Sequence, residues 1–111
     1  MNPNKVKRYG IKKLTDLPNI GQAMAGDLLL LEIRSPGDLV GRDPFELFES
    51  LCIKTRSRQD PCVLDTFMSI TDFMAGNEPR PWWDYTEKRK KLYGPLLEQM
   101  VAGTGKSRNK R

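Results

Sequence analysis

The 111-residue sequence contains no histidine and only two cysteines, Cys52 and Cys62. Histidine is the commonest metal ligand and the commonest general base near neutral pH, so its absence removes the usual proton carrier of hydrolytic enzymes. Two cysteines are too few for a disulfide scaffold, and they lack the closely spaced ligand pairs of zinc sites. The sequence therefore predicts no enzyme, no catalytic residue, no metal site and no cofactor.

Long apolar runs are also missing. The longest is Leu28–Leu31, and a membrane-spanning helix needs about 20 apolar residues. No apolar stretch follows the basic residues near the start of the chain, so we expect neither a secretory signal nor a membrane partner. These absences predict a cytoplasmic protein. A composition of 38% hydrophobic and 30% charged residues is typical of one folded domain at this length.

The net charge of +5 is unevenly distributed along the chain. Residues 1–13 carry five basic side chains and residues 106–111 carry four, with no acidic residue in either segment. Residues 14–105 hold ten basic and fourteen acidic residues, which is a net charge of −4. We therefore predict a basic N-terminal arm over 1–13, a folded domain over 14–102 and a basic, disordered tail over 103–111. Such arms attract polyanions without specificity, or only keep the chain in solution.

The sequence shows few of the alternating apolar and polar runs that are typical of β-strands, whereas apolar residues recur at helical spacing in several segments. Two Asp-Pro pairs, Asp43-Pro44 and Asp60-Pro61, each predict an N-cap followed by proline at the first helical position. Glu46 stands where a capping box would complete the first cap, and Gly76 would end the second helix. Apolar spacing and these signals predict helices over residues 21–31, 44–53, 61–75, 81–92 and 95–101, after a short helix carrying Leu14 and Leu17. The sequence thus predicts an all-α fold, a single compact domain of about five helices.

The expected core comes from the apolar faces of the two helices that follow the Asp-Pro pairs. Its predicted members are Phe45, Phe48, Leu51, Cys52, Val63, Leu64, Phe67, Ile70 and Met74.

The segment from Leu14 to Ala25 matches the helix-hairpin-helix pattern. Apolar residues precede a tight turn, and a small residue, an apolar residue and a glycine follow before a second helix. The small residue is Asn19, which tolerates the left-handed backbone that such a turn needs. The start of that helix leaves backbone N–H groups unpaired, and the helix dipole adds partial positive charge, so a phosphate oxygen can bind there. The predicted DNA-contacting residues are Asn19, Ile20, Gly21 and Gln22. No cation follows Gly21, so binding by this hairpin alone should be weak, and the alternative is a hairpin that only packs or binds another protein.

A second hairpin is predicted between helices 44–53 and 61–75. Its loop supplies the charge that the first hairpin lacks, together with two hydroxyl donors. The predicted DNA-contacting residues here are Lys54, Thr55, Arg56, Ser57 and Arg58. Paired helix-hairpin-helix units present both loops on one side, so we expect residues 54–59 to form a tight turn beside Asn19. The alternative is a solvated basic loop with no ligand.

Several segments together resemble the pathogenicity-locus family of small helix-hairpin-helix proteins, some of which are labelled mitomycin resistance proteins. The resemblance spans about residues 14–91, and its most specific string is Asp-Pro-Cys-Val-Leu-Asp. The segments are Leu14–Gly21, Asp27-Leu28, Asp43–Leu47, Arg58–Phe67, Trp82-Trp83 and Lys88–Lys90. Similarity to the C-terminal domain of competence regulators of the TfoX type is weaker. The resemblance implies a bacterial, cytoplasmic, all-helical protein that binds DNA, and it implies nothing about the basic arms.

The function expected from these observations is sequence-independent binding of DNA through backbone phosphates. One alternative is a protein-interaction or regulatory module in which the hairpins are only scaffold. A second is a thiol-based redox sensor, because Cys62 would lie at a helix N-terminus near cations, which lower the pKa of a thiol, with Cys52 as resolving partner. Adjacent residues on a helix point about 100° apart, so Trp82 and Trp83 should include one exposed indole, able to stack on unpaired bases.

Overall fold

Helix α3, Pro61–Met74, is the centre of the molecule and buries side chains around most of its circumference. A computed structural model describes residues 10–104, and the side chains of residues 10–100. Three other α-helices surround α3. They are α1 (Gln22–Leu30), α2 (Pro44–Thr55) and α4 (Thr86–Thr104). Three short 3-10 helices over Leu14–Asp16, Pro36–Leu39 and Trp82–Tyr85 lie between them. The described residues form the single all-α domain that the sequence predicted, with four α-helices where about five helices were expected.

Both Asp-Pro pairs begin helices as predicted. The Asp43 carboxylate accepts a hydrogen bond from the backbone N–H of Phe45 at 3.1 Å, and the Asp60 carboxylate accepts one from Cys62 at 2.9 Å. The predicted capping box at Glu46 is wrong, because this carboxylate lies 3.4 Å from the Arg42 guanidinium instead. Arg42, four residues before Glu46 and just ahead of the N-cap, thus takes the side chain that local sequence assigned to the cap.

The predicted core is largely correct. Leu47 and Phe73 belong to it in addition to the predicted residues, whereas Phe45, Val63 and Met74 are only partly buried. Three polar side chains on α3 are buried with the apolar ones, namely Asp65, Thr66 and Ser69. Gly76 follows the end of α3 with φ of +108°, the left-handed conformation that the prediction of a glycine stop requires.

Helix α4 corrects the prediction of two helices separated at Gly94-Pro95. It runs without interruption from Thr86 to Thr104, with Pro95 inside it. A proline in a helix removes one backbone donor, which here leaves the carbonyl of Lys91 without its helical partner. Lys91 and Pro95 are both exposed, so water can satisfy that carbonyl. The second half of the helix is retained because Leu97 and Met100 bury their side chains.

The start of the described chain is tied to the domain by Asp16. Its carboxylate accepts hydrogen bonds from the backbone N–H groups of Lys12 and Lys13 at 3.0 and 2.8 Å. The helix predicted to carry Leu14 and Leu17 is one 3-10 turn that ends at Asp16. Most of the cations of the predicted arms lie outside the described residues: Lys5, Lys7, Arg8, Lys106, Arg108, Lys110 and Arg111. In the span that the structure covers, no helix is long and apolar enough to cross a bilayer.

Candidate nucleic-acid interface

The first turn, residues 18–21, adopts the backbone that its sequence predicts. Asn19 has φ of +67°, in the left-handed region that asparagine tolerates better than most residues. Ile20, next in the chain, is 1% exposed and anchors the turn in the core. Gly21 has an extended backbone with φ of −103°, which any residue can adopt. A Cβ atom at Gly21 would meet no heavy atom within 4 Å, so the fold itself does not require glycine there.

The N-terminus of α1 emerges from this turn without a cap. Gly21 is the N-cap residue and has no side chain to accept a hydrogen bond, and the first helical turn carries no acidic residue. The first helical hydrogen bond runs from the N–H of Ala25 to the carbonyl of Gly21. The N–H groups of Gln22, Ala23 and Met24 therefore have no partner within the helix. Gly21, Gln22 and Ala23 are exposed, so an anion can approach this helix end from solvent.

The side chain of Asn19 is directed into the protein. Its amide nitrogen donates to the hydroxyl oxygen of Ser69 at 3.0 Å and to the backbone carbonyl of Arg80 at 2.8 Å. Both side-chain amide hydrogens are thus used within the protein, so this amide has no donor left for a phosphate. The amide oxygen is buried and accepts no hydrogen bond. The Asn19 side chain therefore shapes and anchors the first turn, and the predicted contact of Asn19 with DNA would be made by its backbone.

Arg80 is a candidate residue that sequence reasoning missed. Its carbonyl is held by Asn19, which places its backbone against the first turn. Its side chain is 60% exposed, with the guanidinium 3.7 Å from the Asp84 carboxylate. The fold thus brings the backbone of a cationic residue to the hairpin, whose own sequence has none just after Gly21. No local signal could reveal this, because the hydrogen bond joins residues 61 positions apart.

The tryptophan pair follows Arg80 directly. Trp83 is 57% exposed, whereas Trp82 is half-buried, as predicted for adjacent aromatic residues. The two rings meet edge to face with their centroids 5.5 Å apart.

The second turn, residues 56–60, connects α2 to α3. Helix α2 extends to Thr55, two residues beyond its predicted end, and Arg56 then adopts a left-handed conformation with φ of +54°. Lys54, Arg56, Ser57 and Arg58 are exposed. Among the described residues, none of the three cations in this group has a carboxylate partner. The exposed basic cluster therefore lies in the loop between α2 and α3, as the sequence predicted.

Thr55 does not contribute to the exposed cluster. Its hydroxyl donates to the carbonyl of Leu51 at 2.7 Å and accepts a hydrogen bond from the Gln59 amide at 3.0 Å. The prediction of Thr55 as a phosphate donor is therefore wrong, because the hydroxyl closes the end of α2. Ser57 donates its backbone N–H to the carbonyl of Cys52 at 3.1 Å, and its exposed hydroxyl is left as the donor on this turn.

The second turn is tight, but it does not lie beside Asn19. The Asn19 amide contacts Ser69, which lies nine residues beyond Asp60 in α3, roughly 13 Å along the helix axis. The neighbour of Asn19 is the segment that ends in Arg80. The two turns therefore meet α3 at positions roughly 13 Å apart along its axis, and they are not in direct contact through Asn19.

The environment of Cys62 opposes a reactive thiol. Burial and a hydrogen bond with the Asp60 carboxylate raise the pKa of this thiol, and the nearby Arg89 only partly offsets them. The prediction of a lowered pKa is wrong, because the residue that caps α3 also places a negative charge beside the sulfur. Cys52 is buried, and the two sulfurs are not joined in a disulfide. No group of three potential metal ligands occurs among residues 10–104.

Comparisons with known proteins match most of the length of the chain. The family model described as pathogenicity locus matches residues 7–91. The chain is 40% identical over 91 residues to the mitomycin resistance protein McrB of Streptomyces lavendulae, covering 82% of this chain and 87% of that protein. No solved structure matches the chain.

Proposed function

The chain belongs to the pathogenicity-locus family, and we propose that this member is a helix-hairpin-helix protein that binds DNA through its backbone phosphates, without sequence specificity. The observation that carries the proposal is the open N-terminus of α1, which emerges uncapped from a left-handed turn fixed by the buried Ile20. Because bacterial DNA lies in the cytoplasm, a DNA partner would place the protein in the cytoplasm of a bacterium.

A phosphate oxygen fits this helix end for two reasons. The N–H groups of Gln22, Ala23 and Met24 point away from the helix, and the dipole of α1 favours a negative charge there. Gly21 has no side chain at the point of closest approach, although the fold would accept one. Contacts of this kind reach the sugar-phosphate backbone and not the base edges, so they carry no sequence information.

The second turn adds charge roughly 13 Å along α3 from the contact with Asn19. In the part of the chain that the structure describes, Arg42, Arg80, Arg89 and Lys90 form ion pairs with carboxylates, whereas Lys54, Arg56 and Arg58 form none. Unpaired cations release condensed counterions when they neutralise DNA phosphates, so their contribution to affinity is strongly salt-dependent. Residues 14–105 have a net charge of −4, so the proposal assigns long-range attraction of DNA to the basic arms.

The direct test replaces Gly21 with aspartate in the full chain. An aspartate N-cap stabilises helices relative to most residues, so the protein should fold at least as well. The carboxylate would occupy the N–H groups of α1 and repel phosphate, so affinity for a labelled blunt duplex should fall about tenfold, a change of ~1.4 kcal/mol. Val40→Asp, at an exposed residue in the connection before α2, introduces the same charge elsewhere and is the matched control.

A Lys54/Arg56/Arg58→Ala variant tests the second turn. If these side chains neutralise phosphates, the slope of log affinity against log salt should become shallower by about 0.9 for each phosphate that is no longer neutralised. If both this variant and Gly21→Asp bind like the wild type, and only neutralised arms abolish binding, the hairpins are scaffold. The chain would then be a protein-interaction module, and DNA would be an incidental partner of its arms.

A further inference from the structure

We infer that the exposed indole of Trp83 stacks on an unpaired base beside the first turn, so that DNA with a single-stranded segment is the preferred partner of this surface. This inference rests on the proposed function, since it assigns a substrate class to the same site. The juxtaposition that carries it is the hydrogen bond from Asn19 to Arg80, three residues before Trp83.

The distance between the turn and the indole is limited by the chain. Asn19 holds the carbonyl of Arg80 at 2.8 Å, and three residues span at most roughly 10 Å. The chain between them turns into a 3-10 helix at Trp82, which shortens this path further. The backbone of Trp83 therefore lies within roughly 10 Å of the Arg80 backbone that the first turn holds.

The indole of Trp83 is both exposed and braced. It is 57% exposed, which is a large apolar area to leave in water, and the half-buried Trp82 contacts it edge to face. An aromatic ring held in one orientation loses little conformational entropy when a base stacks on it. Stacking needs no particular base, because every base has a flat π-face, so it is compatible with binding that ignores sequence. Bases inside an intact duplex are already stacked, so the partner must offer an unpaired one.

Arg80 supplies the charge for the same nucleotide. Its guanidinium faces solvent and is engaged by the Asp84 carboxylate at 3.7 Å, an exposed ion pair of little strength. A phosphate can replace this carboxylate, and the guanidinium donates to phosphate in a charge-assisted, bidentate manner. The surface thus offers three kinds of contact: main-chain donors at the first turn, a cation at Arg80 and a stacking surface at Trp83.

The experiment compares overhangs that differ only in their bases. A duplex with an overhang of about six thymidines and the same duplex with an abasic overhang present equal numbers of phosphates. The full-length protein should bind the thymidine overhang roughly 5- to 100-fold more tightly. Trp83→Ala should abolish this difference in affinity, and Trp83→Phe should keep part of it. Leu92→Ala is the control: it removes a different exposed apolar side chain, on α4, and should keep the whole difference. In a Trp82→Phe chain, the fluorescence of Trp83 should be quenched only by the thymidine overhang.

Equal affinity for the two overhangs, or a difference that survives Trp83→Ala, would overturn the inference. The blunt duplex separates this failure from that of the proposed function. If Gly21→Asp weakens binding to blunt duplex while Trp83→Ala leaves the overhang preference unchanged, the hairpin binds DNA but Trp83 does not read an unpaired base. If neither Gly21→Asp nor Lys54/Arg56/Arg58→Ala changes binding to any of the three DNAs, the proposed function fails and the inference fails with it.

Discussion

The side-chain amide of Asn19 donates a hydrogen bond of 2.8 Å to the carbonyl oxygen of Arg80, 61 residues along the chain. This bond joins the turn before α1 to the segment before the tryptophan pair. A second bond from the same nitrogen, to Ser69 at 3.0 Å, fixes both to the central helix. One asparagine thus sets the left-handed backbone of the turn and holds the backbone of an exposed cationic residue, Arg80, against it.

Substitutions at Asn19 should separate these two roles. Asn19→Gly keeps the left-handed backbone and removes two hydrogen bonds, so the free energy of unfolding should fall by about 1–3 kcal/mol. Asn19→Ala also forces a side chain with Cβ into that conformation without a local hydrogen bond, which costs a further ~1–2 kcal/mol. Urea denaturation of the three proteins measures both steps. Equal stability of the glycine and alanine variants would show that the left-handed backbone at this position carries no strain.

The contrast between Asn19 and Arg80 shows what the sequence can predict here. The left-handed asparagine and the Asp60 cap of α3 follow from local chemistry within three or four residues, and both were predicted correctly. The proximity of Arg80 depends on how α3 brings distant segments together, and no periodicity encodes it. Pro95 is the converse case, because a strong local helix breaker was overridden by the burial of Leu97 and Met100 in tertiary contacts.

The buried ion pair between α3 and α4 should be sensitive to the loss of one partner. Asp65 is fully buried and accepts from the Arg89 Nε at 2.8 Å and from the Thr86 hydroxyl at 2.8 Å. Arg89→Met would leave a buried carboxylate without its cation, so unfolding free energy should fall by about 3–5 kcal/mol. The double variant Asp65→Leu/Arg89→Met should recover much of that stability, because no buried charge is then left unpaired.

A double-mutant cycle by urea denaturation measures this coupling. Arg42→Met removes one partner of the exposed pair with Glu46 and is the control, with an expected change below about 1 kcal/mol. Additive effects of the Asp65 and Arg89 substitutions would contradict a direct interaction between the two side chains.

The thiol of Cys62 should react slowly in the folded protein. Burial and the Asp60 carboxylate raise its pKa, and the thiolate is the reactive form. Alkylation followed by site-resolved mass spectrometry should therefore show a rate profile displaced to higher pH than that of the urea-unfolded chain. Because the folded pKa is raised, the stability that this group contributes is present below the ordinary thiol pKa and is lost as the pH rises through the folded value.

The Asp60→Asn variant removes the negative charge beside the sulfur and should move the alkylation profile back toward lower pH. Cys62→Ser identifies the signal, since the native-state labelling at this site must vanish. Rapid alkylation of native Cys62 at neutral pH, with a profile unchanged in Asp60→Asn, would restore the thiol-sensor alternative that the structure argues against.

The exposed pair between Arg80 and Asp84 provides the sharpest test of the surface beside the first turn. In the free protein the carboxylate engages the guanidinium at 3.7 Å, so a DNA phosphate must compete with it. Asp84→Asn should free Arg80 and strengthen DNA binding about two- to fivefold, a gain of up to ~1 kcal/mol, the size of an exposed ion pair. Glu87→Gln removes the same charge from another exposed pair, with Lys90 at 3.6 Å, and is the matched control. A gain specific to Asp84→Asn that disappears in Asp84→Asn/Arg80→Ala would show that Arg80 contacts the DNA. An equal gain in both single variants would mean that only the net charge of the domain matters.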